Sequence, residues 1–503
     1  MSRLIKVKLA LVDKDHLIAN KYAADASGQW ERKLNNITPN KLTVGLDSSF
    51  SRGGFTLAIG DGDEKFKTMM ANDTYRKIYG KPVTIYAYAP DGVTLADTIV
   101  ASIKDFRRDG NLFRIDCDQE FTSKMSSIPS PRSLTFNAAD WPNAPGSTIG
   151  QAVPMPEGVQ SAPAGVVTAY LVNVIGDIWA DWENCRYIYV HTWSDPGGAA
   201  RCSNVTGVFC EGVETAEGSG GGTWAHSRDA NGWELVTISP QPPREGLQEY
   251  APPYMTVNGI YETESSASQN PVGVLNSILT MAGITLVDDG DGGASDFADY
   301  CTANSWKHNG RTPDNITTIK EYQETWAHNF DAWWRIASDG TIHIKHIDWT
   351  AVTASATLLE RHFKSFKETS SKQDFTNRIK MNFNFNPTQS KWQDLAIVDS
   401  IDGDYAVEDM LVEKPDENVM FSYTVGASHP VTGQIKFVDH PIYTVACSTS
   451  LLLYERLSLG LFAIITATHR NQIGGTGKYF IIDVAPDCLK ETVALGMIRL
   501  WGV

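Results

Sequence analysis

The stretch Asn377 to Phe385 constrains the fold of this chain more than any other, because Ile379, Met381, Phe383 and Phe385 alternate without a break against Lys380, Asn382 and Asn384. A period of two is the signature of a half-buried antiparallel strand. Asn386-Pro387 closes the segment, since proline has no amide donor for a ladder and restricts the residue before it. A strand of this kind needs a sheet or barrel to bury its apolar face.

At 503 residues the chain is too long for one compact core, and about two to four domains are expected. A hydrophobic fraction of 42% and a charged fraction of 20% are those of a folded protein, while 41 Gly, 23 Pro, 14 Trp and 18 Tyr favour strands joined by turns over an all-helical fold. The net charge of −16 argues against a surface built to neutralise phosphates, yet permits a passive acidic conduit for DNA. Seven cysteines (Cys117, Cys185, Cys202, Cys210, Cys301, Cys447 and Cys488) form an odd set without a CxxC pair, unlike a disulfide framework. Met1 to Val7 alternates as a strand without the apolar run of a signal peptide, and no stretch has the length of a membrane span. The expectation is a soluble chain made in the cytoplasm.

Ile5, Val7, Leu9 and Leu11 begin an N-terminal β unit, with further strands expected at Leu42 to Leu46, Phe55 to Ile59, Val83 to Tyr88 and Asn111 to Asp116. Turns at Gly53-Gly54, Asp91-Gly92 and Asp109-Gly110 make this a small barrel or sandwich. The segment Asp63 to Tyr79 carries a weak helical pattern that could cover one end. Ser127 to Gly165, rich in Pro, Ser, Gly and Ala, reads as a connector. A second β module follows, with strands at Ala169 to Val174, Tyr187 to Thr192, Trp233 to Ile238 and Tyr254 to Asn258. Its Glu217 to Thr223 run is a loop tip, and Pro240 to Pro253 cannot be a central strand.

Past Ser265 the period changes to that of helices. Pro271, Val272, Leu275, Leu279 and Ala282 form one helix stopped by Gly283, and Thr318 to Glu321 opens another with a capping box. Trp333 to Ala337 and Thr341 to Ile347 flank Asp339-Gly340 as a hairpin. Strands resume at Phe421 to Val425, Gln434 to Val438, Leu461 to Ala467, Lys478 to Val484 and Val493 to Leu500. The fold class is therefore mainly β with a smaller α+β module.

No pattern of chemistry outweighs a structural role. His343 and His346 sit three apart on a strand, which sends them to opposite faces. Asp288 to Gly293 resembles a calcium loop, but Tyr300 stands where the twelfth-position acid belongs. Cys185, Cys202 and Cys210, with a fourth thiolate such as Cys301, could hold zinc or a cluster, although their spacing matches no compact ligand motif. Gly474 to Lys478 ends like a phosphate loop, but Tyr479 occupies the place of the Ser or Thr that binds magnesium. Glu321, Glu324 and Asp331 read as a solvated helix face rather than a glycosidase pair, and Trp326, Trp333 and Trp334 as core rather than sugar platforms. No catalytic, cofactor-binding or metal residue is assigned.

Five local patterns, taken in order, carry a resemblance. They are Gly80 to Tyr86, Ile149 to Pro154, the helix and hairpin of Ile319 to Ile347, Asn377-Arg378-Ile379 opening a last barrel, and Tyr479 to Asp487 closing it. The chain resembles the hub proteins of tailed-bacteriophage baseplates and tail tips. That resemblance implies two tube-like β-barrel domains separated by insertions: 1–126 as the first barrel, 127–165 as connector, 166–264 as inserted β module, 265–362 as α+β module and 363–503 as the second barrel. It further implies a homotrimer whose six barrels imitate a sixfold ring, joined to tail-tube proteins above and to tip, fibre or tape-measure proteins below. DNA would pass through without specific binding, in a virion tail tip assembled in the host cytoplasm and acting in genome ejection. No active-site residue is transferred, and a chain ending at Val503 is expected to lack the fused peptidase or receptor-binding tail of longer relatives. The competing reading, prompted by the Trp and Tyr content, is a glycan-binding or glycan-degrading tail or surface protein.

Overall fold

The computed structural model describes residues 3–11, 15–38, 41–44, 49–64, 66–68, 78–118, 125–126, 128, 135–154, 156, 158–160, 165, 167–176, 185–192, 202–210, 212–215, 224–239, 254–261, 270–290, 292–308, 318–337, 339–348, 352–371, 375–386, 391–400, 413–418, 421–423, 430, 442–473 and 475–500. The loop tip Glu217 to Thr223, the Pro240 to Pro253 segment, the strand Gln434 to Val438, Gly474 and the centre of the Asp63 to Tyr79 helix lie outside those residues. What is described is mainly β, with four α-helices among the described residues: α1 Pro271–Met281, α2 Ala294–Ala303, α3 Ile319–Asn329 and α4 Leu451–Arg456.

The first wall is a nine-stranded sheet ordered Ala23–Asp25, Gly28–Arg32, Asp15–Ala19, Ile5–Ala10, Pro82–Tyr88, Leu95–Asp109, Leu112–Asp118, Phe55–Gly60 and Leu34–Ile37. Alternation puts Val7, Leu9, Leu57, Ile59, Val83 and Ile115 into one core. Leu34, from the strand at one edge, and Ile18, from near the other, share that cluster, so the sheet curls into an open half-barrel. Phe66 stacks on Phe113 with ring centroids 5.1 Å apart, so the described start of the Asp63 to Tyr79 segment does cover that core.

One expected strand of this barrel is elsewhere. Leu42–Val44 and Phe50–Arg52 form a hairpin that leaves the first wall and pairs with the C-terminal strand Gly477–Asp487, Leu42 opposite Val484 and Thr43 opposite Asp483. The cause is side-chain burial: Val44 and Phe50 sink into the core of the helical unit, Phe50 lying 5.2 Å from the Trp334 ring. A three-residue alternation announces a buried face without naming the surface that buries it.

The inserted module is an eight-stranded sheet running Val213–Thr215, Cys202–Cys210, Met255–Tyr261, Val167–Ile175, Arg186–Thr192, Glu234–Ile238 and Trp224–Arg228, with Gly158–Gln160 added on Met255–Tyr261. The Pro-rich segment before it does more than connect. Phe136 and Val153 pack with Val172 and Val190 on the outer face of this sheet, and Trp141 meets Trp233 edge-on at 5.6 Å.

In the helical unit, the Asn270 side chain accepts from the Val272 amide to cap α1, and the Thr318 and Glu321 side chains form the expected capping box on α3. Helix α2 follows the acidic glycine loop where no helix was expected, because Ala294 to Ala303 offers only Phe297 and Cys301 as buried apolar positions. The three helices enclose Trp326, Trp334, Phe297 and Phe330 against a sheet of Leu286–Val287, Ile342–His346 and Ala332–Ile336.

The second wall is ordered Ala356–Leu358, Ile464–Ala467, Gly477–Asp487, Thr492–Leu500, Ile442–Ser450 and Phe363–Ser371, joined by the Leu42–Val44 hairpin. Tyr479 and Ile481 face its core, whereas Phe480 points the other way onto Trp333 at 4.9 Å. Both faces are covered, which explains the continuous apolar run Tyr479 to Ile482. At the bulge between Ile481 and Asp483 a Cβ on Gly496 would lie 2.6 Å from Asp483 Cβ, so the backbone approach there requires glycine.

The strand that fixed the fold class from sequence is a strand, Arg378–Asn386, but it is not in this wall. It pairs antiparallel with Lys391–Asp399 and parallel with Glu413–Asn418 in a separate three-stranded sheet. Ile379, Met381 and Phe383 are buried in the core of the helical unit. The expectation that it opens the last barrel is therefore corrected: it lies in a separate sheet, and its apolar face joins the core cluster that the helical unit shares with Phe462, Phe480 and Leu500.

Candidate functional site

The described residues converge on the junction between the two walls. Arg3, at the head of the first wall and almost fully buried, makes a bidentate pair with Glu455 of α4, Nη1 to Oε1 2.5 Å and Nη2 to Oε2 2.6 Å. Planar guanidinium–carboxylate geometry fixes orientation as well as distance. Lys41, beside the exchanged hairpin, reaches Asp483 of the second wall at 3.0 Å. Cys488 and Leu489 follow the strand Gly477–Asp487 and pack against the first core. Two curled sheets are thus held together by a shared hairpin, two ion pairs and a shared apolar seam.

Both walls also end in edges among the described residues, Ala23–Asp25 and Leu34–Ile37 in the first, Ala356–Leu358 and Phe363–Ser371 in the second. The last is polar on its exposed positions, with Ser365 and Ser448 hydroxyls 2.6 Å apart and those of Thr369 and Thr444 3.0 Å apart. Edge strands carry backbone donors and acceptors that can be completed by another chain.

The residues weighed from sequence for chemistry are dispersed. His343 Nδ1 lies 2.6 Å from Asp289 Oδ1, and Asp289 also pairs with Arg335 at 3.0 Å. His346 instead stacks on Phe297 with centroids 4.4 Å apart, its Nδ1 donating to the Asp331 carbonyl at 3.2 Å. In the acidic glycine loop the Asp288 carboxylate accepts from the Gly290 and Ser295 amides, and hydrogen bonding led by the Ser295 side chain holds it below the usual carboxylate range. Gly292 adopts φ +66° where a Cβ would lie 2.6 Å from the His346 carbonyl, so this loop is shaped to pack on the hairpin. Glu321 caps α3, Glu324 faces Lys320 at 3.6 Å, and Asp331 is buried. Trp326, Trp333 and Trp334 are all buried, Trp326 Nε1 donating to the Pro271 carbonyl at 3.1 Å. Lys478, at the end of the phosphate-loop-like run, donates to the Val352 carbonyl at 3.0 Å.

Burial of two histidines in the helical unit makes a testable statement about acid. Burial pushes His308 down to about 3 and His346 down to about 4, both from an ordinary value of 6.5. The folded form therefore binds fewer protons than the unfolded chain between those values. Their contribution is full above pH 6.5 and is lost as pH falls toward 4, each group steepening the slope by up to about 1.4 kcal/mol per pH unit. Denaturant midpoints followed by Trp fluorescence should fall between pH 7 and pH 5, and by less in His346→Phe.

The cysteines divide. Cys301 belongs to the core of the helical unit, while Cys185 and Cys202 lie in that of the inserted sheet, so a four-thiolate set with Cys301 does not assemble. Cys202 is gathered with two histidines that sequence reading passed over, His191 and His226. Burial first, and the neighbouring His226 second, push the His191 imidazole down to about 3; burial, followed by the charge of Glu234, pushes the Cys202 thiol up to about 12. His191 extends the inward alternation of Tyr187 and Tyr189, and His226 that of Trp224. Those periods were legible, but the meeting of the three strands was not.

No protein-family model matches the chain, and no curated protein matches its sequence. Among solved structures, a tail protein from Neisseria meningitidis MC58 is similar at 7% identity, with 99% of this chain and 97% of that one covered and a TM-score of 0.40. The prophage tail protein gp18 from Listeria monocytogenes EGD-e aligns at 7% identity over 99% of this chain and 94% of its own, with a TM-score of 0.44. A chain of the virion of a native gene transfer agent particle aligns at 11% identity over 74% of this chain and 90% of its own, with a TM-score of 0.48.

Proposed function

We propose that this chain is a structural, non-catalytic hub of a phage-type tail tip, in which three copies close into a ring. The observation that carries this reading is the locking of two curled β walls within one chain by the exchanged hairpin Leu42 to Arg52 and the Arg3–Glu455 pair. A threefold ring that must meet a sixfold tube needs each subunit to present two similarly shaped modules in a fixed relation. In this reading the two walls, the first within 1–126 and the second built from 356–371 and 442–500, supply the ring modules, the hairpin bolts them together, and the connector, inserted β module and helical unit with its three-stranded sheet decorate the outside. Its partners are two further copies, tail-tube proteins above, and tip, fibre or tape-measure proteins below. The net charge of −16 suits a lumen through which DNA slides by like-charge repulsion.

Light scattering on the chromatographed protein tests the assembly. A particle of three 55.3 kDa chains supports the hub. A monomer retained by polysaccharide would replace it with the glycan-binding reading, for which the buried tryptophans of the helical unit provide no platform.

A further inference from the structure

We infer that the inserted β module holds a zinc-class divalent cation on His191, Cys202 and His226, with Glu234 and Tyr261 orienting the two imidazoles. One ligand atom from each of the three side chains lies within 4.8 Å of the others, and this is the one such group found among the described residues. The set mixes two imidazoles with one thiolate, the soft and borderline donors that zinc prefers, and leaves a fourth tetrahedral position for water or another ligand.

The strands explain the convergence. Cys202 begins the strand Cys202–Cys210 and pairs with Tyr261 across the ladder, while His191 and His226 come from strands toward the opposite end of the sheet order. Curling of the sheet brings those ends together, with the His191 and His226 rings 5.5 Å apart. His191 sits at the register shift between Val190 and Thr192, a place where strands commonly re-aim a side chain toward a site.

What distinguishes this cluster from an ordinary buried polar group is the assignment of its nitrogens. Tyr261 Oη lies 3.1 Å from His191 Nδ1, leaving His191 Nε2 fully buried with no hydrogen-bond partner. A buried imidazole nitrogen left this way is costly unless something binds it. On the other ring, Glu234 Oε2 is 2.8 Å from His226 Nε2, which leaves Nδ1 as the nitrogen for the cation. A carboxylate behind a histidine is the recurrent outer support of zinc ligands, since it fixes the tautomer and raises the basicity of the coordinating nitrogen. Glu234 is itself buried, with Arg228 Nε 3.8 Å from its second oxygen. Of the dication's two charges, the thiolate meets one and the Glu234 carboxylate, which also faces Arg228, part of the other.

The inference stands apart from the hub reading, because it concerns only the inserted module. The test uses the full-length protein, stripped with a chelator and titrated with Zn²⁺ and, separately, Co²⁺. About one zinc per chain is expected, together with the thiolate-to-cobalt charge-transfer band and the intense visible bands of a tetrahedral site. Cys202→Ser and His226→Ala should abolish the charge-transfer band or the tetrahedral spectrum respectively, while Cys210→Ser, on the same strand outside the cluster, should leave both. Glu234→Gln, which keeps the shape but removes the charge behind His226, should weaken zinc by about 10–100-fold. Should a ligand variant misfold, the wild-type cobalt spectrum still decides. Absence of stoichiometric zinc in the wild type, or a charge-transfer band that survives Cys202→Ser, overturns the assignment.

Discussion

Arg499→Met is expected to lower the unfolding free energy of the second wall by about 3–5 kcal/mol, because it leaves the buried Glu368 carboxylate without its cation. Arg499 Nη1 is 3.6 Å from Glu368 Oε1, and neither side chain has appreciable exposure. Arg499 also donates to the Ile473 carbonyl, and its guanidinium lies 5.9 Å from the Tyr479 ring centroid. Glu368 accepts from Tyr479 Oη at 3.0 Å and from the Ile473 amide at 2.5 Å, so the carboxylate is held where it is. Burial, reinforced by that carboxylate, raises the Tyr479 phenol to about 12. The control is the double variant Glu368→Gln with Arg499→Met, which removes both charges and should recover a large part of the loss. Urea unfolding monitored by circular dichroism gives both numbers. Equal losses in the single and double variants would mean that packing of the Arg499 stem, not its charge, stabilises the wall.

The second large effect concerns the exchanged hairpin. Phe50→Ala is expected to cost about 3–5 kcal/mol, since it empties a fully buried aromatic site. Phe50 is 1% exposed and rests on Trp334 of the helical unit, although it arrives from a hairpin that leaves the first wall. Its loss should therefore be read out at a distance. Amides of Leu42 to Val44 and of the facing stretch Asp483-Val484 should exchange faster with solvent, while those of Ile5 to Ala10 remain protected. Phe50→Leu, which fills most of the volume, should show a fraction of the effect. Loss of protection throughout the first wall in Phe50→Ala would show that the hairpin belongs to that wall's folding unit instead.

Much of the architecture was legible because alternation reports burial directly. The strands Ile5–Ala10, Pro82–Tyr88 and Arg378–Asn386, the helices at Pro271 and Ile319 and the Asp339-Gly340 hairpin all sit where period and caps place them, within a residue or two. Partnership was not legible. Nothing in Ile379, Met381 and Phe383 distinguishes burial inside a barrel from burial in the shared core of the helical unit, and the same is true of Val44 and Phe50. Helix α2 was hidden by its composition, with one aromatic and one cysteine as its buried positions and an acidic loop before it. The cluster of His191, Cys202 and His226 was invisible for a related reason: its spacing in sequence is set by how the sheet curls, and ligand motifs are recognised by short spacing.

The locked pair of walls is the claim on which the functional reading depends, and electron microscopy of the purified full-length protein tests it most directly. Particles with threefold symmetry and six β lobes around a central opening are the expected result. Monomers, or rings of another symmetry whose subunits contribute a single lobe each, would contradict it.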